Sequence, residues 1–295
     1  MQEKYEIVYT KNFITKFKNS LYNFYNYDSF IDLVVVPFLW QKTLMYIPIL
    51  SYSDRKYNEV DDLLELAKDN DYQIRTLNFD YKDFKKDDMV TMRLNVANID
   101  EIHNSFSKKT RKHIRQANEY GFRYKIGNDD EAIEHFYKIY SQTMHRLGTP
   151  AFQKGFFYAL RDEFKDKLEF YNFYDGYKIV ASTCAILDEE IAILEWLGVD
   201  SSYQNKALGY FVNFTVIKYM TQKNLKIIDF GRSGYEGKTY KFKLHFKTYP
   251  VKIDVFKPKE ENIYEKYQLA SEIWKKLPYN VVYKLNWISK YLKDL

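Results

Sequence analysis

Cysteine is nearly absent. The single Cys184 excludes an internal disulfide and a cysteine-built zinc site. The five histidines, at 103, 113, 135, 145 and 245, show no ligand spacing such as H-x-x-x-H, so no metal is expected. Glycine and proline are sparse too, at 10 and 6 residues, as suits a packed chain more than a disordered one. Neither G-x-G-x-x-G nor G-x-x-x-x-G-K-[ST] occurs, which speaks against Rossmann and P-loop nucleotide sites. Asp229-Phe230-Gly231 lacks the catalytic loop and Gly-rich loop of a kinase. No run of 18 apolar residues is present, and MQEKYEIVYTK at the start lacks the apolar core of a secretory signal. A cytoplasmic location is therefore expected. A formal net charge of +5 is too small for a generally basic nucleic-acid binder, and no DNA partner is expected.

Aromatic residues are plentiful instead, at 19 % of the chain, enough to fill a core and also to line a groove. Periodicity predicts strand, turn and strand over Asp32–Leu50, a helix over Glu59–Ala67, and strands over Gln73–Phe79 and Met89–Val96. One helix is expected over Asn104–Tyr120, capped by Ser105 or Ser107 and closed by Gly121. Its first turns carry Lys108, Lys109, Arg111, Lys112 and Arg115, either a solvated face or an anion site. A strand over Phe122–Ile126 and helices over Asp130–Arg146 and Phe152–Phe164 follow. Next comes a three-strand meander over Leu168–Phe173, Lys178–Leu187 and Ile191–Val199, with Cys184 a core residue of its middle strand. A helix over Asn205–Gln222, a buried strand over Leu225–Phe230 and a last strand over Val251–Phe256 complete a mixed α/β (α+β) order.

Lys226–Phe246 concentrates the chemistry. An apolar strand runs into the polar loop Gly231-Arg232-Ser233-Gly234, and strand-end loops are where α/β proteins keep ligands. From Gly237 to Lys247 there are four lysines (238, 241, 243 and 247) and no acid, which points to an anionic ligand. Residues 273–295 hold five lysines, one acid and the aromatics Trp274, Tyr279, Tyr283, Trp287 and Tyr291. Such a tail either packs on the body as amphipathic helices or lies at a membrane surface.

These residues resemble a known family. FSKKTRKHIRQANEYG (106–121), MHRLGTP (144–150), the meander ending in Glu195-Trp196, Tyr203-Gln204-Asn205, and D-F-G-R-S followed by G-x-x-Y-K-F-K (229–243) resemble the acyl-CoA N-acetyltransferase (GNAT) superfamily. More narrowly they resemble its FemAB-like branch, including FemAB-related proteins of exopolysaccharide and protein-sorting loci, in which two GNAT units are fused. The resemblance spans roughly Met89–Phe256. It implies a GNAT-like unit over 1–121, a second over 122–258 holding the active site, and a helical tail over 259–295. The place of the GNAT pyrophosphate loop is taken by Gln204-Asn205-Lys206-Ala207-Leu208-Gly209, with one glycine. The donor is therefore open between acyl-CoA and aminoacyl-tRNA, with no permanently bound cofactor.

The resemblance implies direct acyl or aminoacyl transfer to an amine of a phosphate-bearing cell-envelope precursor, without a covalent enzyme intermediate. That precursor would be an amino sugar or peptide, lipid- or nucleotide-linked, as in peptidoglycan or polysaccharide assembly. Lys243 is expected to hold substrate phosphate or oxyanion, and Arg146, at a helix end, to clamp phosphate. Glu195, an acid within an apolar strand, and Asp229, which could instead orient Arg232, are the candidate bases. His145, Trp196, Tyr203, Asn205, Arg232, Ser233 and Tyr240 are expected to bind substrate. An acetyl-CoA-dependent sugar N-acetyltransferase and a non-catalytic envelope-assembly protein remain as alternatives.

Overall fold

The computed structural model describes residues 74–256 and 263–288 without a break, and shorter stretches between 10 and 51. The helix expected over Glu59–Ala67 lies outside the described residues. The chain divides into two compact units, each discontinuous in sequence. The first takes Met1–Ile7, Leu77–Ile139 and Asp166–Ile253; the second takes Val8–Thr76, Tyr140–Lys165 and Asp254–Leu295. The expected boundary at residue 121 does not coincide with a limit of either unit. Residues 77–121 join the C-terminal sequence because strand pairing across the chain outweighs proximity along it.

The described strands before residue 77 begin with β1 (Ser29–Phe30), β2 (Leu33–Phe38) and β3 (Gln41–Met45), a small antiparallel sheet in that order with Val35 opposite Leu44. This is the strand, turn and strand read over 32–50. The short β4 (Leu50–Ser51) and β5 (Ile74–Asn78) follow.

The first unit is built on one mixed sheet. Its strands are β6 (Met89–Asn95), β7 (Arg123–Gly127), β8 (Leu168–Asp175), β9 (Lys178–Leu187), β10 (Ile191–Val199), β11 (Ile227–Gly234) and β12 (Tyr249–Phe256). They lie in the order β12-β6-β11-β10-β9-β8-β7. Every pair is antiparallel except β10 with β11. In the middle strand β9, KIVASTCAIL, every residue from Ile179 to Leu187 is buried, as expected of a strand covered on both faces. On its neighbour β8 the faces alternate. Phe170 packs on Phe136 of helix α3 (Asp130–Leu147), with ring centroids 4.9 Å apart. Tyr171 and Phe173 pack on Tyr219 and Phe211 of helix α5 (Leu208–Met220), at 5.6 and 5.8 Å.

The helix expected over Asn104–Tyr120 is two helices, α1 (Ile99–Ser105) and α2 (Lys108–Glu119). Phe106 turns to extended backbone and buries its ring, and Ser107, not Ser105, caps α2 by accepting from Thr110 N. Burying one aromatic at the junction replaces a turn of helix with a cap.

The second unit contains α4 (Lys154–Phe164), α7 (Ile263–Lys276) and α8 (Tyr279–Leu285). Phe13 and Phe17 pack on Phe164 and Phe156, at 5.2 and 6.1 Å. The C-terminal helices belong to this core. Trp274 and Val282 are buried, Tyr279 shares a 2.7 Å hydrogen bond with Ser141, and Asn286 Oδ1 accepts from Ala151 N. Gly148, in MHRLGTP, has φ of +80° and lies so close to α7 that a Cβ there would come 2.9 Å from Ser271 O. Among the described residues, no helix is long and apolar enough to cross a membrane.

Candidate active site where two parallel strands part

The parallel pairing of β10 and β11 runs over three positions, ending at Ile193 opposite Asp229. Both strands are irregular just beyond. β10 bulges against β9 between Ile193 and Trp196, and β11 bulges against β6 between Asp229 and Arg232. Two bulges on facing strands put unpaired backbone groups and re-aimed side chains at one place, an arrangement common beside active sites. From sequence, Gly231-Arg232-Ser233-Gly234 is expected to be a loop; it is the bulged continuation of β11. Gly231, at φ of +71°, supplies the bulge. A Cβ on it would meet Glu195 Oε2 at 3.2 Å and Leu194 O at 3.3 Å, so the two strands are in close contact there.

Helix α6 (Lys238–Lys243) returns after β11 and delivers Lys243 to this spot. Lys243 Nζ donates to Gly231 O at 2.9 Å and to Arg232 O at 3.0 Å. The residue is only part-buried by surface, yet enough protein surrounds its ammonium for desolvation to dominate its titration. Burial lowers its pKa to about 8, with Asp229 and Glu195 opposing the shift and Arg232 adding to it. Glu195 sits in the β10 bulge with a part-exposed side chain, 4.0 Å from Arg232 Nε. Its outward direction resolves the question of a buried acid: the bulge turns Glu195 out while Trp196 turns in.

Asp229 is buried beneath. Its Oδ2 accepts from Arg93 Nε at 3.0 Å, and its Oδ1 accepts from Gly231 N at 2.8 Å and from Thr91 Oγ1. Its buried ion-pair partner is Arg93, and a carboxylate so engaged supports the bulge. Arg93 and Thr91 stand outside the residues singled out from sequence. Their signal is the one that marks Glu195, polar groups inside an apolar strand, here MVTMRLN.

Other expected site residues divide. Ser233 is buried on β11, its hydroxyl on Arg232 O. Tyr240 is buried against Tyr235 with ring centroids 4.8 Å apart, and burial pushes its phenol up to about 12. Trp196 is buried in the sheet, its carbonyl accepting from Thr183 Oγ1. Tyr203 donates to Asp175 at 2.9 Å beneath Lys206 and Lys178, so it fastens the turn before α5. Asn205 is exposed in the short 3-10 helix Ser201–Lys206. His145 and Arg146 lie in the second unit. Arg146 is exposed, and His145 packs on Tyr279 with its Nε2 buried and without a hydrogen-bond partner. Among the described residues, no group of histidine, cysteine and acidic side chains is arranged to hold a metal.

Comparison with known proteins agrees at the level of the fold. Residues 104–244, just under half of the chain, match the acetyltransferase (GNAT) domain model. The fold is similar to that of FemX, with a TM-score of 0.55 at 14 % identity over 81 % of this chain and 86 % of that one. It is also similar to the C-terminal domain of a putative lysylphosphatidylglycerol synthetase from Agrobacterium fabrum (TM-score 0.52, 9 % identity, 82 % and 84 % covered). A third likeness is to L-PGS from Bacillus licheniformis (TM-score 0.52, 10 % identity, 83 % and 86 % covered). No curated protein matches in sequence.

Proposed function

We propose that this chain, whose residues 104–244 match the GNAT acetyltransferase domain model, is an N-acyltransferase that moves an acyl or aminoacyl group onto the amine of a phosphate-bearing cell-envelope precursor. The observation that carries this reading is the ammonium of Lys243, held by two backbone carbonyls where β10 and β11 part. Acyl transfer needs the attacking amine to lose a proton, the carbonyl oxygen to be stabilised as it becomes negative, and the two substrates to be held together. The amine nitrogen forms a bond to the acyl carbon. The bond from that carbon to the donor's oxygen or sulfur breaks, and the leaving group takes a proton.

Lys243 suits the oxyanion. Two of its three N–H groups go to Gly231 O and Arg232 O, which orient the third. With a pKa of about 8, it is about nine-tenths charged at pH 7. Glu195, part-exposed and beside Gly231, is the base that takes the amine proton, and Arg232 holds it in place. Ser233 and Tyr240 shape the wall behind Lys243. The donor is acyl-CoA, as for GNAT proteins at large, or an aminoacyl-tRNA.

Peptidoglycan and polysaccharide precursors are the acceptor classes to test, at the membrane surface. Ile273, Val281, Tyr283 and Trp287 are exposed on the C-terminal helices beside Lys276 and Lys284, as in helices that lie at an interface. The experiment supplies acetyl-CoA or aminoacyl-tRNA, with amino-sugar or peptide acceptors linked to lipid or nucleotide diphosphate. Product formation that Lys243→Ala abolishes supports the reading; product formation that survives it overturns the assignment.

A further inference from the structure

Val90 to Leu94 of β6 are all buried, yet only three of the five are apolar. Val90, Met92 and Leu94 belong to one hydrophobic cluster with Leu208 and Val212 of α5. Thr91 and Arg93 alternate with them onto the other face, 4 % and 0 % exposed. At position 91 a valine would have the same shape and suit a strand as well. A buried hydroxyl is costly unless it is hydrogen-bonded, so the threonine is explained by its partner.

That partner lies on the far side of the β11 bulge from the backbone of Thr91. In the register of the two strands Thr91 stands opposite Arg232, and Arg93 stands opposite Asp229. β6 thus advances two residues while β11 advances three. The Thr91 hydroxyl reaches back over the extra residue and donates to Asp229 Oδ1. One residue of β6 therefore braces both ends of the bulge.

Asp229 passes the constraint on. The same Oδ1 accepts from Gly231 N at 2.8 Å, while Oδ2 is taken by Arg93 Nε at 3.0 Å. Arg93 balances the charge and holds the far oxygen; Thr91 fixes the near one. Glycine has no side chain to lock its backbone, so a glycine at φ of +71° needs a hold from outside. With its N–H tied to Asp229, Gly231 presents its carbonyl oxygen to Lys243 Nζ at 2.9 Å.

We propose that Thr91 is a positioning residue for the transfer: through Asp229 it holds Gly231 in the conformation that seats the Lys243 ammonium. The inference rests on the proposed role of Lys243. An ammonium that faces an oxyanion acts in the transition state, so a loosened seat lowers kcat and leaves KM in place.

Two experiments test it, and the first needs no substrate. At about pH 6, well below its pKa of about 8, Lys243 is charged. A hydrogen-bonded ammonium exchanges its protons with water slowly enough to be followed by NMR of isotope-labelled lysine, and loss of the signal in Lys243→Ala assigns it. Thr91→Val should speed that exchange about tenfold, the effect of about one lost hydrogen bond. Thr91→Ala should match it, and Thr91→Ser should restore slow exchange. The second experiment measures transfer. Thr91→Val should lower kcat about tenfold with both KM values within about twofold, and Thr91→Ser should recover the rate. In a Lys243→Arg background, where a guanidinium cannot take the same seat, Thr91→Val should cost at most about twofold. Fast ammonium exchange in the intact chain, or exchange that Thr91→Val leaves unchanged, overturns the inference. Equal loss of kcat in the lysine and arginine backgrounds overturns it too. Slow exchange that depends on Thr91, with transfer that survives Lys243→Ala, overturns the proposed function instead.

Discussion

Lys243 donates its ammonium to the carbonyl oxygen of Gly231 at 2.9 Å, twelve residues earlier in the chain. The contact joins a helix to a strand bulge and sets the charge of the site. It keeps a desolvated lysine next to the backbone of the one residue in β11 with a left-handed conformation.

Transfer should depend on pH through Lys243. Its pKa is lowered to about 8, so raising the pH through 8 removes the positive charge that faces the oxyanion. The maximal rate should fall about tenfold per pH unit above that point. Lys243→Arg, which stays charged, should be slower but lose this alkaline limb. A pH–rate profile on both proteins checks the sign, and an unchanged limb in the arginine variant assigns it to another group.

The same shift affects stability. Lys243 binds its proton less tightly folded than unfolded, so below pH 8 the folded state bears the full cost of the buried charge. That cost is relieved between about 8 and the ordinary lysine value near 10.5. Lys243→Met should therefore gain most relative to the intact chain near pH 7 and lose that advantage by pH 10.5. Thermal unfolding at the two pH values measures it.

Asp229 should matter more for folding than for chemistry. It and Arg93 are both buried, and removing one partner of such a pair leaves a buried charge. Asp229→Asn should cost about 3–5 kcal/mol in chemical denaturation, and Arg93→Met/Asp229→Asn less than either single change. A variant that stays fully stable but loses transfer would restore Asp229 as a base.

Three left-handed glycines separate conformational strain from crowding. Gly121, at φ of +72°, has nothing within 4 Å of an added Cβ, so Gly121→Ala should cost about 1–2 kcal/mol from backbone strain alone. Gly231→Ala adds contact with Leu194 O and Glu195 Oε2, and should also lower the transfer rate by moving Glu195. Gly148→Ala would place Cβ 2.9 Å from Ser271 O and should be the most destabilising of the three. Denaturation midpoints give the ranking.

Because Trp274, Val282 and Asn286 are buried, deleting residues 273–295 would damage the second unit's core. Membrane contact is better tested by Ile273→Ser/Trp287→Ser, whose side chains are exposed. Co-sedimentation with vesicles containing anionic phospholipid should fall severalfold, with the melting temperature nearly unchanged. Equal sedimentation of both proteins would remove the membrane from the proposal.

Much was legible from residue order alone. A largely apolar run such as KIVASTCAIL announces a strand, and the basic turns of α2 with Gly121 behind them announce a capped, charged helix. The motifs at 144–150, 195–196 and 229–243 carried the GNAT resemblance because chemistry-bearing residue types recur there at set spacing. These are local properties, encoded within a few turns or a single strand.

Tertiary structure decided what depends on residues far apart. Asp229 pairs with Arg93 across 136 positions, and no local pattern names that partner over Arg232, three residues away. Residues 77–121 joined the first unit through strand pairing with β11 and β12, which no composition shift marks. The two facing bulges arise from register between strands, and register is a relation between segments. The depressed pKa of Lys243 is the sum of desolvation and three neighbouring charges, each delivered by a different part of the fold or by the bulge itself. Residue types determined which chemistry was on offer, while burial and distance, which exist only once the chain has folded, selected the groups placed to perform it.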